Sequence, residues 1–592
     1  MAAFKRHGAR RALLGFLAAG VLAPAMLAAG EPPAPPAGAK ASPVLQALEA
    51  ELGRSLEQLK TRGEHPFYFL SYTVWETRDI NLGASYGVLT ERPATKIPAR
   101  YFTVSARVGS RALDNTHSIR GGYGWGFGGG GGEGLPAEDD VDAIRAAVWL
   151  TTDGAFKDAQ ERFSKVLTDR KVMVEEEDKS DDFTEEAPSV CLEEPVKPGL
   201  DAEAWMARLR ALSARFKKFP FILDSRVTLS GGAQTRWFAS SEGTRLQTVR
   251  EGYRVGVLAE TKAEDGMNLY LYWSSYSPDA ARLPGDPEIA AEIDRLASTL
   301  ESLRKAPLVE PYVGPAILVN RAAAVFFHEI FGHRVEGQRQ KDEEEGQTFT
   351  KKVGLPILPE FMSIVEDPTA DKLGDTFLMG HYHFDDEGVP AQKVTIVENG
   401  ILKNFLMSRS PVKGFPKSNG HGRCEPGSSP VGRMANTIVQ SSRRVPFDRL
   451  RALLVEEAKK QGKPYGLIFQ DIAGGFTMTG RWSPQTYKVE PLLVTRVYVD
   501  GRPDEIVRGV DICGTPIMSL EQILATGDDE KAFHGYCGAE SGSVPVSAIS
   551  PSVLVAKIEI EKKEKAQDRL PILPPPLHDP GEGKGGEGGK KK

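Results

Sequence analysis

Apolar positions along the chain follow two periods, and the switches between them outline the elements. Between residues 65 and 107, FYFLSYTVW and ARYFTVSARV are aromatic and β-branched runs of strand length separated by polar turns. Residues 139–170 instead repeat apolar side chains at three and four, with acidic residues first and basic residues last, which predicts a helix aligned with its dipole. Further helices are predicted over 202–218 and 287–305, with strand-like segments over 222–273 between them. A short, strongly apolar helix is expected over 321–333, with Asn320 as a candidate N-cap. After it come KVTIVENGILKNFLMS with an Asn-Gly hairpin turn, then VEPLLVTRVYVDG and SVLVAKIEIE. The pattern predicts an α+β, multi-domain protein of mixed β-sheets packed with helices.

Composition divides the chain further. Its 592 residues, 40% hydrophobic, are enough for several cores. Residues 1–30 have a basic start through Arg11, an apolar run over 12–29 and small residues up to Gly30. That is the pattern of a secretory signal, so a periplasmic or secreted protein is expected, with no stable membrane insertion after cleavage. The pair Arg10-Arg11 leaves the twin-arginine route open beside the general one. A Pro/Ala linker is read over 31–44, an N-terminal β-containing domain over 45–120, a Gly-rich loop over 121–136 and a middle α+β domain over 137–306. A C-terminal domain follows over 307–562, and the Pro/Gly/Lys-rich tail of 563–592 cannot bury a core. Within the Gly-rich loop, Gly124, Gly126 and Gly129 form a GxGxxG, but no strand leads into it and no helix opens from it, so a dinucleotide site is not expected. With 74 basic and 80 acidic residues the chain has no electrostatic footprint for nucleic acid.

One stretch carries chemistry. FFHEIFGHRVEG places His328 and His333 five apart, not the four of the HExxH zinc helix. On a regular α-helix that spacing turns the second imidazole about 140° from the first. A π turn removes the difficulty, and Gly332 lets the helix widen or end just before His333. AAAVFF precedes the motif, so a buried helix carries two imidazoles and Glu329 together, and buried ionisable groups need a partner such as a cation. A catalytic zinc needs a third ligand. Cys537, His381, His383, His421 and Glu336 are all candidates, and Cys537 could equally pair with Cys513 in a disulfide.

HEIFGHRVEG resembles the HExxxH helix of the TldD/PmbA family of metallopeptidases. Further blocks resemble the family in order: DDEGVPAQKVTIVENGILKNFL from Asp385, SNGHGRCEPGSSPVGRMANTIV from Ser418, and YCGAESGSVPVSAISPSVLV from Tyr536. The resemblance covers residues 312–561, with weaker agreement back to residue 65. It implies a C-terminal metallopeptidase domain with a curved, antiparallel-rich sheet around the metal-binding helix. It also implies one Zn²⁺ held by His328, His333 and Cys537, with Glu329 as general base. Unfolded or extended peptides are the implied substrates, in a cleft of a homodimer or of a heterodimer with a related subunit. Two departures stand out: Gln338 occupies a position where the family often has Asp, and the signal sequence points to an exported subfamily. Among the other block residues, Asp386 and Glu387 either shape a turn before Gly388 or contact substrate. Arg423, Arg433 and Asn436 either hold a peptide or serve internal contacts. The competing function is a peptide-binding or assembly protein whose zinc is structural or absent, with His534 as a possible fourth ligand.

Overall fold

The computed structural model describes residues 40–93, 98–119, 133–171, 177–196, 198–563, 570–573 and 576. The expected signal peptide, most of the linker, the core of the Gly-rich loop and most of the tail lie outside these residues.

The first half is built on one nine-stranded sheet whose central strands are long, Phe67–Ser85, Asp224–Ser240 and Arg245–Lys262. At about 3.3 Å per residue such strands run for about 60 Å, too far for one helix layer to cover. Two helix pairs share the task. Pro43–Leu59 and Val141–Asp169 pack over Leu70, Tyr72, Val74 and Trp237 at one end. Ala202–Ser213 and Asp286–Lys305 pack over Leu82, Ala84, Val227 and Leu229 at the other. These sheet residues keep one parity along each strand, so both helix pairs lie on the same face.

This arrangement corrects two of the expected boundaries. Strands from 67–110 and from 224–277 pair directly, so the segments 45–120 and 137–306 share one sheet and are not separate sheet units. The linker boundary at residue 44 falls inside a helix. Ser42 accepts a hydrogen bond from the Leu45 N–H and Pro43 occupies the first helical position, so the Ser-Pro pair starts a helix.

The C-terminal half is also α+β, and its sheet curvature goes to closure. Strands Tyr312–Leu318, Tyr465–Thr477, Tyr487–Tyr498, Val510–Gly514 and Val553–Lys562 form a ring closed by pairing of the first with the last. Beside this five-stranded barrel stands a six-stranded sheet that ends in the hairpin Gly542–Ser550 and Lys531–Ala539, the latter an edge strand. Helix Asn320–Ile330 packs between barrel strand Tyr465–Thr477 and that hairpin. Asn320 is itself the first helical residue and not the cap, and its side-chain amide donates to the Asp529 carbonyl.

Candidate metal centre

The spacing of the two histidines is resolved by ending the helix. Asn320–Ile330 stops at Phe331, whose backbone sits at φ −118° and ψ −54°, and a 3₁₀ turn over Gly332–Arg334 follows. No π turn is needed. The break carries His333 back toward His328, and the rings lie 5.1 Å apart at 87°. Space at Gly332 is tight, since a Cβ there would stand 2.0 Å from the Met434 Sδ and that side chain would have to shift. Arg334 ties the turn to the barrel by donating to the Thr477 hydroxyl at 2.7 Å and the Met478 carbonyl at 3.0 Å.

The third group comes from far along the chain. Cys537, buried in the edge strand, has its Sγ 3.5 Å from His333 Nε2, and the donor atoms of His328, His333 and Cys537 lie within 4.8 Å of one another. A tetrahedral zinc with bonds of about 2.0–2.3 Å sets its S and N ligands about 3.6 Å apart, so the spacing fits the ion. The donor set fits as well, because a thiolate beside two imidazoles favours zinc. Burial alone would raise the Cys537 thiol, but His333 and His328 outweigh it and hold it well below the usual thiol range. Burial would likewise lower both imidazoles, yet the Cys537 sulfur raises them, and Glu336 adds to the effect on His333.

Glu336 is not a member of the triad. It lies behind His333, accepting from Nδ1 at 3.3 Å and from Arg339 Nε at 2.8 Å, with Arg433 Nε also 3.3 Å away. Burial opposes its ionisation, but His333 and Arg339 pull its pKa down to about 2. A carboxylate on Nδ1 leaves Nε2 free to face Cys537, the arrangement by which proteins orient a metal-binding imidazole. Arg433 completes this support by donating to the Cys537 carbonyl at 2.6 Å and to its sulfur at 3.2 Å. The HRVEG sequence holds the signal for Glu336, an acid three residues after a candidate ligand, although it does not distinguish a ligand from its support.

Glu329 lines the same cavity of about 270 Å³ as the triad, beneath barrel strand Tyr465–Thr477. Strand and carboxylate are close, since a Cβ on Gly475 would lie 2.7 Å from the Glu329 Cγ. Tyr536, 65% exposed, forms part of the cavity wall.

The other candidates lie elsewhere. His421 is fully buried, with its Nδ1 3.0 Å from the Asn419 carbonyl, and His381 bonds the Pro368 carbonyl. His534 stands three residues before Cys537 on one strand, so it points to the opposite face, where it meets Ser547 Oγ at 3.0 Å. A four-ligand site through His534 is thereby removed. All four cysteines are free, and Cys513 belongs to the barrel while Cys537 belongs to the neighbouring sheet.

Three of the expected peptide contacts have internal roles. Asn436 is fully buried and bonds Gly380 N–H and the carbonyls of Asp367 and Ala370. Glu387 is half-buried and accepts the Arg409 N–H at 2.6 Å, and Arg433 supports the triad as above. Asp386, paired with Arg236 at 2.5 Å, and Arg423 line a second, larger cleft. Gln338, at the position of the family's frequent Asp, donates to Glu540 Oε1 at 2.7 Å.

Residues 312–562 match the PmbA/TldA metallopeptidase C-terminal domain. The C-terminal domain is thus a TldD/PmbA-family domain. A metalloprotease of Methanocaldococcus jannaschii is 30% identical over 39% of this chain and 47% of its own length. A zinc metalloprotease TldD homolog of Saccharolobus solfataricus is 27% identical over 42% of this chain and 51% of its own. The chain thus spans about half the length of these two curated relatives. The crystal structure of TldE from Thermococcus kodakarensis, 14% identical, superposes with a TM-score of 0.57 over 87% of this chain and 100% of that one. At that identity the likeness shows the fold alone.

Proposed function

We propose that the chain is an exported zinc-dependent peptidase acting on unfolded or extended peptides. The observation that carries this reading is the convergence of His328, His333 and Cys537 on one point, with Glu329 in the same cavity. Two imidazoles and the thiolate would hold the ion, with Glu336 and Arg433 fixing His333 and Cys537. When bound, zinc supplies Lewis acidity that brings a water's pKa toward neutrality and polarises the scissile carbonyl. Glu329 takes the proton from the attacking water as its oxygen bonds to the carbonyl carbon. The carbon–nitrogen bond then breaks, and Glu329 returns the proton to the leaving amine.

Lys531–Ala539 offers unpaired main-chain groups at a sheet edge beside the triad, so an extended peptide can add to it as a further strand. Main-chain hydrogen bonds give affinity without reading side chains, which suits unfolded substrates. A second subunit, identical or related, would close the cavity from outside. The structural-zinc alternative gains nothing from the geometry, because a structural site has no use for Glu329.

The test is metal content and cleavage together. The full-length chain is expected to hold about one zinc, lost in Cys537→Ser. Glu329→Gln should keep its zinc and lose about 10²-fold or more in peptide hydrolysis. Zinc-loaded Glu329→Gln that cleaves as well as the parent would refute the assignment.

A further inference from the structure

The nine-stranded sheet has a second face that the helices leave uncovered. Alternation along Arg245–Lys262 sends Val255 and Val257 to the helices, and Thr248, Arg250 and Arg254 to the other side. There they line a cleft of about 640 Å³ between the sheet and the C-terminal half, together with Arg236, Arg423 and the His381–His383 pair. The cleft meets the metal cavity at Tyr536, which lines both.

Charge in this cleft is unbalanced. Arg254 donates to Ser274 Oγ at 2.7 Å, and Arg250 to the Met379 carbonyl. Buried Arg423 donates to the carbonyls of Met434 and Pro545 and lies over the Tyr382 ring. Among the described residues, none of these three guanidiniums is paired with a carboxylate. The acids of the cleft are otherwise engaged or outside: Asp386 holds Arg236, Asp385 and Glu193 accept backbone N–H groups, and Asp79 is solvent-exposed. Burial lowers Arg254, and burial followed by the neighbouring His383 lowers His381, as expected for cationic groups taken out of water.

Cations removed from water without a partner are costly, and guanidinium forks match a carboxylate. We propose that this cleft binds the carboxylate of the peptide held at the metal centre, Arg250 and Arg254 being its principal donors. The inference rests on the peptidase reading above. The carboxylate is either the peptide's C-terminus or an acidic side chain, and the shared chemistry is an anionic oxygen pair tethered to an extended chain.

The experiment measures binding by fluorescence anisotropy to the full-length, zinc-loaded Glu329→Gln variant. The probes are N-terminally labelled peptides of three kinds: a free acid of neutral sequence, its C-terminal amide, and amides carrying one Glu at successive positions. The free acid is expected to bind about tenfold or more tighter than the plain amide if the C-terminus is read, and a Glu-bearing amide regains that affinity if a side chain is read. Either preference sustains the proposal. Arg250→Gln and Arg254→Gln should each shrink the preference, while Arg254→Lys retains part of it. Equal binding of all three kinds of peptide, or binding of none, overturns the proposal, and this comparison needs no arginine variant to fold. Cleavage of the same peptides by the parent chain separates the two readings. Hydrolysis without discrimination removes only the carboxylate cleft, and discrimination without hydrolysis removes only the peptidase.

Discussion

Replacing Glu336 by Gln tests how the proposed zinc site is held. The carboxylate is fully buried and accepts from His333 at 3.3 Å and Arg339 at 2.8 Å, with Arg433 at 3.3 Å. An amide keeps one acceptor oxygen but turns an NH₂ group toward donors. Arg339 retains Glu345 and Glu540, each at 2.6 Å, whereas buried Arg433 loses a carboxylate and is left leaning on the Cys537 sulfur. Two effects follow: loss of the group that orients His333 costs about 10–100-fold in zinc affinity, equal to about 1.4–2.7 kcal/mol. Breaking the buried ion network costs about 3–5 kcal/mol in the metal-free protein. Competition against a chromophoric chelator reads the first, and thermal unfolding in chelator reads the second. Glu345→Gln is the control, because it neutralises another partner of Arg339 away from His333 and should leave zinc affinity within about twofold. A folded Glu336→Gln protein with parental zinc affinity would show that His333 is positioned by its turn alone.

Two further outcomes follow from packing and burial. Gly332→Ala forces a methyl against Met434 Sδ, and the overpacking should cost about 1–3 kcal/mol while displacing His333. Zinc stoichiometry should fall, and adding Met434→Ala should restore the metal without restoring stability. Burial pushes His421 down to about 3, and among the described residues its Nε2 has no hydrogen-bond partner. The unfolded chain therefore takes a proton near pH 6.5 that the native chain refuses, so stability is full above that pH and falls as pH drops from 6.5 toward 3. By pH 4.5 the loss from this residue alone is about 2.7 kcal/mol, and the unfolding midpoint of His421→Phe should drop less between pH 7.5 and 4.5 than that of the parent. Equal drops would mean His421 is protonated in the native state.

Legibility followed the range of the interactions. Helices over Val141–Asp169 and Asp286–Lys305 were readable because each repeats apolar residues at three and four, and the second also carries acidic residues first and basic residues last. Helix Pro43–Leu59 was hidden by the proline-rich stretch before it, in which Ser42-Pro43 reads equally as linker and as helix start. The shared sheet was not readable, since pairing Phe67–Ser85 with Asp224–Ser240 depends on contacts more than a hundred residues apart. At the site, the pair His328 and His333 stood out locally, but composition and spacing near Cys537 did not separate it from four other candidates, and only the family resemblance of its block pointed to it. The fall of Arg433 and Asn436 into internal roles followed from burial, which spacing does not report.

The same geography implies that the proposed metal site would not form in a fragment of the domain. His328 rides on a helix, His333 on the turn that ends it, and Cys537 on a sheet edge two hundred residues later, with Arg433 joining Glu336 to Cys537 from a fourth segment. Each of these is fixed by packing against the barrel or the six-stranded sheet, so the ligands meet only after both have formed. A metal that binds the folded arrangement and not the open chain adds its binding free energy to the stability of the whole domain. The break after Ile330 then has a physical purpose. A continuous helix would point its second imidazole away from the first, whereas a helix that ends at Ile330 and turns through Gly332–Arg334 lets one short segment bring both imidazoles and Glu329 to the same cavity.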